Sequence, residues 1–198
     1  MLENKLKAAG YQVEFVGDKY SFGNTTPADG LGGFNSLLMM RQLTSEDTTW
    51  TELNGTRVEK HFSEHIPDIV ILDLGTNDAL NLAAGGYDTP ENYLEHMTVI
   101  IRYLQSKNPN VMVVVSKLNP GLDAKYNANV AIFNKVIDRL VVSTPTETSK
   151  VVTTRDLGSD WTATDFQDDV VHPSTVGQEK MMEAYFEALV DNGFLGEK

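Results

Sequence analysis

Two short, strongly aliphatic runs constrain the fold of this chain more than any other feature. Ile69-Val70-Ile71-Leu72-Asp73-Leu74 and Val111-Met112-Val113-Val114-Val115 are almost continuously apolar, which is typical of strands buried on both faces. Residues 91–106, between them, carry apolar side chains at helical spacing. Because parallel strands need a crossover connection, this alternation of strand and helix predicts a parallel sheet.

The rest of the chain continues the same alternation. The residue pattern predicts further helices at 2–9, 36–43, 57–65, 122–140 and 175–190, strands at 13–16 and 151–154, and a loop at 20–35. There is no internal repeat or linker-like segment. We therefore expect one α/β domain over residues 1–198, a three-layer α/β/α sandwich with a flavodoxin-like parallel sheet.

Charge and composition exclude several functions. The formal net charge is −12 at pH 7, so nucleic acid or an anionic membrane surface would be repelled. No apolar stretch approaches the length of a membrane span. There is no cysteine, which excludes disulfides and thiolate chemistry. His61 and His65 are four residues apart on a predicted helix, but no third ligand is evident, so no metal site and no cofactor are expected.

The motif Gly75-Thr76-Asn77-Asp78 follows the strongest strand signal directly. In open α/β sheets, ligands bind at the carboxyl ends of the strands. An asparagine placed there can donate its amide N–H to a developing oxyanion. Asn and Asp suit a helix N-cap or a turn equally well, so the motif alone supports a structural role as strongly as a catalytic one.

A second motif, Asp169-Val170-Val171-His172-Pro173, lies in a loop before the last predicted helix. A short non-helical loop can turn the Asp169 carboxylate back onto the imidazole of His172. The carboxylate would fix the tautomer, so that the other ring nitrogen acts as a base. For a single histidine, a solvent-exposed loop position is the alternative. His96 is expected on a helix surface and His65 on a solvated face.

Taken together, these motifs resemble the SGNH (GDSL-type) hydrolases, and most closely the carbohydrate esterases of family 3, which include acetyl xylan esterases. The similarity runs from residue 2 to about residue 190. It rests on the order and spacing of several short segments: residues 6–17, Asp29-Gly30-Leu31-Gly32-Gly33-Phe34, Pro67–Val70, Gly75–Asp78, Lys117-Leu118-Asn119-Pro120, Tyr126–Ala128, Phe133-Asn134, Asp169–Pro173 and Gly177–Met181.

The resemblance implies roles for four residues. Asn77 and the backbone N–H of Gly33 would be oxyanion donors, His172 the general base and Asp169 its orienting carboxylate. It further implies an acyl-serine mechanism without a cofactor, an ester of a small molecule or polysaccharide as substrate, and an extracellular location.

The family's nucleophilic serine stands in Gly-Asp-Ser at the end of the first strand, and no Gly-Asp-Ser occurs in these 198 residues. We therefore expect the first, central strand and the nucleophile to be absent. Gly17-Asp18-Lys19 imitates the motif but lies only 14 positions before Gly33, too close for the elements that normally intervene. Ser21, Ser36 and Ser174 are alternative serines, and no pattern places them beside the histidine.

Loss of a central strand has a structural consequence. In a sheet ordered 2-1-3-4-5 it would leave buried backbone groups unpaired, at a cost of about 1–3 kcal/mol each. We expect residues 13–16 to pair directly with residues 69–74 in a four-stranded sheet. A neighbouring chain in the vacant position and a detached N-terminal segment are the alternatives. The oligomeric state is left open, although an exposed edge would favour pairing between chains.

Three functions follow from these observations. The first is an esterase lineage that hydrolyses acetyl or short acyl esters of carbohydrate, with little activity in this chain because the nucleophile is missing. The second is a catalytically inactive protein that binds a glycan or acyl ligand in the same cleft. A flavodoxin-like nucleotide binder ranks below both, because no glycine-rich phosphate loop follows any predicted strand.

Overall fold

A computed structural model of the chain describes residues 1–17, 33–44, 62, 64–86, 88–158, 160–169 and 171–196. The helices are α1 (Leu2–Ala8), α2 (Ser36–Thr44), α3 (Thr76–Ala83), α4 (Pro90–Lys107), α5 (Ala124–Ser143) and α6 (Thr175–Asp191). The strands are β1 (Ile69–Leu72), β2 (Met112–Val115) and β3 (Val151–Thr153), and a 3-10 turn spans Ala163–Asp165.

In the described residues the three strands form a parallel sheet in the order β1-β2-β3. Val70 pairs with Val113, and Val113 pairs in turn with Val151. Helices α3 and α4 connect β1 to β2, and α5 connects β2 to β3, as parallel pairing requires. The predicted α/β class and flavodoxin-like parallel sheet are confirmed.

Alternate strand residues enter two different layers of helices, because successive side chains point to opposite faces. Val70, Leu72, Val113 and Val115 pack in the core formed with α2, α4 and α5. The intervening residues of the same strands pack with α1 and α6: Ile69, Ile71, Met112 and Val114. A sheet covered on both faces explains why β1 and β2 read as continuous apolar runs.

Polar side chains cap the N-termini of α4 and α5, and a glycine turn precedes α3. Thr89 caps α4 by accepting the N–H of Asn92 at 3.2 Å, and Asp123 caps α5 by accepting the N–H of Tyr126 at 2.7 Å. The turn from β1 into α3 passes through Gly75, whose φ is +128°. A Cβ there would lie 3.0 Å from the ring of Tyr93, so both backbone conformation and space require glycine.

The expected pairing between residues 13–16 and 69–74 is wrong. Residues 11–16 have no regular secondary structure, and no backbone hydrogen bond joins residues 12–17 to residues 68–74, all of which are described. Val13 and Phe15 instead pack by their side chains on the cluster that includes Leu6 of α1 and Leu189 of α6. Alternating apolar residues predict an extended segment with one buried side, but they do not specify a hydrogen-bonding partner.

Other boundaries differ by one to three residues, as is usual at the ends of helices and strands. The predicted helix at 122–140 begins at Ala124 and ends at Ser143. Of the predicted helix at 57–65, Phe62 and Glu64 are helical, and residues 57–61 and 63 lie outside the described residues. Most of the predicted loop at 20–35 also lies outside them.

Candidate active site

His172 and Asp169 form a hydrogen-bonded pair in the loop that precedes α6. Nδ1 of His172 lies 2.7 Å from Oδ2 of Asp169. The other carboxylate oxygen accepts the backbone N–H groups of His172, at 2.8 Å, and Val171, at 3.0 Å. These two backbone donors, followed by the imidazole, hold the pKa of Asp169 below its ordinary value. The carboxylate is therefore fixed in place with its charge directed at Nδ1.

The imidazole of this pair faces solvent, since 69% of the His172 side chain is exposed. Because Nδ1 bonds Asp169, the Nε2 atom is directed away from the carboxylate. Asp169 lies three residues before His172 on the same loop, so the pair needs no other element to form. Chemically, this arrangement can accept a proton at Nε2 and stabilise the resulting imidazolium.

Asp165 stabilises the loop that carries the pair. The Asp165 side chain is 1% exposed, accepts the N–H of Thr162 at 2.6 Å and pairs with Lys180 of α6 at 2.9 Å. Burial raises the pKa of Asp165, but the hydrogen bonds from Thr162 and Lys180 outweigh this and lower it overall. The N–H of Gln167 also donates to the carbonyl of His172 at 2.9 Å.

Ser174 also stabilises this loop through hydrogen bonds. Its hydroxyl caps α6 by accepting the N–H of Gly177 at 3.4 Å and donates to the carbonyl of Thr164 at 2.8 Å. The Ser174 hydroxyl proton is therefore directed at a backbone carbonyl and not at His172. The geometry assigns Ser174 a capping role.

Asn77 links the end of β1 to the segment after Gly33. Its side-chain amide donates to the carbonyl of Phe34 at 2.8 Å. An asparagine amide has two N–H bonds, and the second donates to no described residue. Gly33 has a φ of +78°, which favours glycine, and no described atom lies within 4 Å of where its Cβ would stand. The structure thus brings the Gly33 segment and Asn77 together.

Asp78 and Ser36 form a second, buried link between the same segments. The Ser36 hydroxyl and backbone N–H both donate to the Asp78 carboxylate, and Oγ of Ser36 lies 3.0 Å from Nδ1 of His96. Ser36 has no solvent exposure and Asp78 has 1%. Burial raises the pKa of Asp78, opposed by the Ser36 hydrogen bonds and assisted by the nearby charge of Asp88.

This arrangement corrects one expectation and tests another. His96 was expected on a helix surface, whereas it is half-buried against Ser36, because α4 packs on α2 at this point. Ser36 was considered as an alternative nucleophile. Its hydroxyl proton is committed to Asp78 and its oxygen is buried, so it contributes to the connection between α2 and α3.

A hydrogen-bonded path connects the Gly75–Asp78 turn to the histidine loop. The Tyr126 hydroxyl bonds Thr76 and donates to the carbonyl of Asn119 at 3.3 Å, and burial raises the pKa of Tyr126 to about 12. The Asn119 amide in turn donates to the carbonyl of Val171 at 3.2 Å. The two motifs, almost a hundred residues apart in sequence, are therefore linked through Tyr126 and Asn119.

The chain is similar to known proteins in both sequence and fold. The sequence matches the GDSL-like lipase/acylhydrolase family over residues 15–180. The chain belongs to this family. No curated protein matches it.

Solved structures similar to this GDSL-family chain include an acetyl esterase mutant with an acetate ion, which is 22% identical and has a TM-score of 0.72. The aligned region includes 96% of this chain and 88% of that chain. A family 3 carbohydrate esterase from Talaromyces cellulolyticus is 22% identical with a TM-score of 0.73 and the same coverage. A family 3 carbohydrate esterase from Clostridium thermocellum is 19% identical with a TM-score of 0.70, with 98% of this chain covering 87% of that one. At these identities the similarity establishes the shared fold.

Other chemistry is not evident in the described part of this GDSL-family chain. No group of three or more His, Cys, Asp or Glu side chains is placed to hold a metal there, and no described helix is long and apolar enough to cross a membrane. His65 is exposed, and His61 and Ser21 lie outside the described residues. A cavity of about 300 Å³ at residues 7–13 contains none of the four site residues predicted from the sequence.

Proposed function

We propose that this GDSL-family chain belongs to an esterase that removes acetyl or other short acyl groups from carbohydrate. The observation that carries the proposal is the 2.7 Å contact between His172 and Asp169, in a fold shared with family 3 carbohydrate esterases. A loop carboxylate that accepts two backbone N–H groups while facing an exposed imidazole is the arrangement that a general base requires.

In the proposed reaction a serine hydroxyl attacks the ester carbonyl carbon, and Nε2 of His172 takes the hydroxyl proton. Asp169 holds the imidazole by Nδ1 and stabilises its positive charge. The oxyanion is held by the Asn77 amide and the backbone N–H of Gly33. Collapse of the tetrahedral intermediate breaks the ester C–O bond, and His172 returns the proton to the departing sugar oxygen. Water then repeats these steps on the acyl-serine and releases the carboxylic acid.

We propose further that the nucleophilic serine is not among the described residues. Ser36 is buried and donates to Asp78, and Ser174 caps α6 and donates to Thr164. No Gly-Asp-Ser occurs in the sequence. The 198 residues by themselves would then have little esterase activity, although they hold the base and the oxyanion donors.

A second function is favoured by the same missing serine. A protein that keeps the cleft but has no nucleophile would bind a glycan or acyl ligand without turnover. The intact His172–Asp169 pair favours the esterase, because ligand binding alone does not need an imidazole held in one tautomer.

The finer assignments rest on the neighbours and the family resemblance. Acetylated polysaccharide, including acetyl xylan, is the proposed substrate because two of the solved neighbours are carbohydrate esterases and a third is an acetyl esterase. An extracellular location is proposed on the same basis, since polymeric substrates of this kind are found outside cells.

Hydrolysis of p-nitrophenyl acetate tests the proposal. We expect negligible turnover by the 198-residue chain, and substantial turnover by a version extended at its N-terminus with a strand that ends in Gly-Asp-Ser. Release of acetate from acetylated xylan by the extended chain would support the substrate assignment. An extended chain that binds xylan without releasing acetate would favour the non-catalytic alternative.

A further inference from the structure

Val171, the residue before His172, is held by three contacts. Its side chain is 5% exposed and packs in the core formed with α2, α4 and α5. Its backbone N–H donates to Asp169 at 3.0 Å, and its carbonyl accepts the side-chain amide of Asn119 at 3.2 Å. Asn119 is 4% exposed, and the same amide also donates to the carbonyl of Pro120 at 2.8 Å. The backbone next to the imidazole is therefore fixed to the segment that follows β2.

Thr76, the residue before Asn77, is bonded to the same segment. Its hydroxyl bonds the hydroxyl of Tyr126, which in turn donates to the carbonyl of Asn119 at 3.3 Å. Tyr126 is buried in α5, and burial raises its pKa to about 12, so its hydroxyl stays protonated and remains a donor at neutral pH. Asn119 is thus linked to the neighbours of both motifs, to one directly and to the other through Tyr126.

Close packing adds to this polar connection. A Cβ on Gly75 would lie 3.1 Å from the side chain of Leu118, the buried residue that precedes Asn119. Leu118 is itself fixed to α5, because the Asn134 side chain accepts its N–H at 2.8 Å and donates to its carbonyl at 3.2 Å. The turn that leads to Asn77 therefore rests directly on the segment that holds the histidine loop. Interiors packed this closely transmit displacements.

We propose that Asn119 and Tyr126 are positioning residues, which fix His172 relative to Asn77 through the segment after β2. The inference deepens the proposed function and rests on it for the catalytic consequence. A buried polar network is rigid only while its members are paired, and loss of either side-chain donor deprives a buried carbonyl of its hydrogen bond. The histidine loop would then keep its own internal hydrogen bonds and move as a unit away from the turn that carries Asn77.

A distance measurement between the two motifs tests this directly. The chain contains no cysteine, so two introduced cysteines can carry spin labels without interference. Ala84→Cys at the end of α3 and Asp168→Cys in the histidine loop are suitable, because both positions are exposed. Pulsed electron paramagnetic resonance then gives the distribution of distances between the labels. We expect one narrow distribution in the chain that is otherwise wild type, and a shifted or wider distribution when Asn119→Ala or Tyr126→Phe is added.

Gln105→Ala is the matched control for a general loss of stability. The Gln105 side chain is also buried, and its amide donates to the carbonyl of Thr144 at 2.9 Å and to Oγ of Ser149 at 3.1 Å, at the opposite end of the strands. This variant should leave the distance distribution unchanged. Tyr126→Phe keeps the aromatic ring in the core and removes only the hydroxyl, so it should fold even where Asn119→Ala does not. Urea unfolding checks the fold of each labelled variant.

Activity separates this inference from the proposed function. In the chain extended with Gly-Asp-Ser, Asn119→Ala should lower kcat for p-nitrophenyl acetate by about 10²-fold and leave KM within about twofold, because it displaces the base and not the substrate. Altered distance distributions without turnover by the extended wild type would support the positioning role and contradict the proposed esterase function. Identical distributions in all variants, or a kcat in Asn119→Ala equal to that in Gln105→Ala, would overturn the positioning role.

Discussion

Strands β1 and β2 have almost the same kind of sequence and very different surroundings. Val113, Val114 and Val115 of β2 have no solvent exposure, because strands flank them on both sides and helices cover both faces. The four residues of β1 are all half-buried, although both of its faces also contact helices. The difference lies at the edge: β2 has two neighbouring strands and β1 has one among the described residues. An aliphatic run predicts a strand, but burial depends on what lies beside it.

The candidate site repeats this contrast. On the side of β3, the histidine loop is complete: Asp169 orients His172, and Asp165 with Lys180 braces the loop. On the side of β1, Asn77 contacts the segment after Gly33, and the hydroxyls of Ser36 and Ser174, the two alternative serines that are described, donate to other groups. The described residues thus place the hydrogen-bonded His172–Asp169 pair on the side where the sheet is paired, and Asn77 beside the edge of β1 that no described strand covers.

The largest expected effect concerns His172, the proposed general base. In the chain extended with a strand ending in Gly-Asp-Ser, His172→Ala should lower kcat by about 10⁴-fold, because the serine loses its proton acceptor. The same substitution in the 198-residue chain should change nothing measurable. His65→Ala is the matched control, since His65 is exposed. Turnover by the unextended chain that disappears with His172→Ala would show that the open side already contains a nucleophile.

The contrast in burial predicts unequal costs for the same truncation on two paired residues. Val70 and Val113 are register partners that face the same core. Val113→Ala should lower the free energy of unfolding by about 2–3 kcal/mol and Val70→Ala by about 1 kcal/mol, because Val70 is only half-buried. Urea unfolding monitored by circular dichroism measures both. Equal losses would mean that the edge of β1 is covered in solution.

Asp165, in the histidine loop on the side of β3, forms an ion pair with Lys180. Its lowered pKa means that its stabilising contribution is fully present above the unfolded value of about 3.8 and is lost as pH falls through the folded pKa. Asp165→Asn should therefore destabilise the protein at pH 7, by about 1–3 kcal/mol. The difference from wild type should shrink below pH 4 in urea titrations. A difference that grows in acid would contradict the ion pair with Lys180.

Asp78, in the turn that follows β1, forms no ion pair with a described residue, and its pKa is raised. The pH dependence is therefore opposite to that of Asp165. The contribution of Asp78 to the stability of the folded protein is fully present below its unfolded pKa and is lost as pH rises through its folded pKa. The stability of Asp78→Asn relative to wild type should therefore increase between pH 4 and pH 7. Thermal unfolding at the two pH values measures this small effect. The stability of Asp88→Asn relative to wild type should also increase with pH, because this substitution removes the charge near Asp78. A relative stability that falls with pH would refute the assignment.

The sequence predicted the elements that follow from periodicity. The strands at 69–72, 112–115 and 151–153 and the long helices α4 and α5 come from apolar runs and helical spacing, which burial enforces. The Asp169–His172 contact was also foreseen, because it joins residues three apart on one loop. The catalytic roles of these residues, of Asn77 and of Gly33 stay predictions.

What the sequence did not predict depends on contacts between distant segments. The extended segment at 13–16 has the pattern of a strand, but pairing needs a neighbour that its own residues do not specify. The burial of Asp78 against Ser36 and the Tyr126–Asn119 path involve polar groups with no periodic signal. Asn119 belongs to the segment Lys117–Pro120 that resembled the family, and that resemblance was the only available indication of its role.

Native-state hydrogen exchange of β1 tests the central claim most directly, because its residues alternate between a paired and an unpaired side. We predict that the amides of Val70 and Leu72, which face β2, are protected, and that those of Ile69 and Ile71 exchange orders of magnitude faster in the isolated 198-residue chain. Equal protection of all four amides would show that the edge is already paired and would contradict the account.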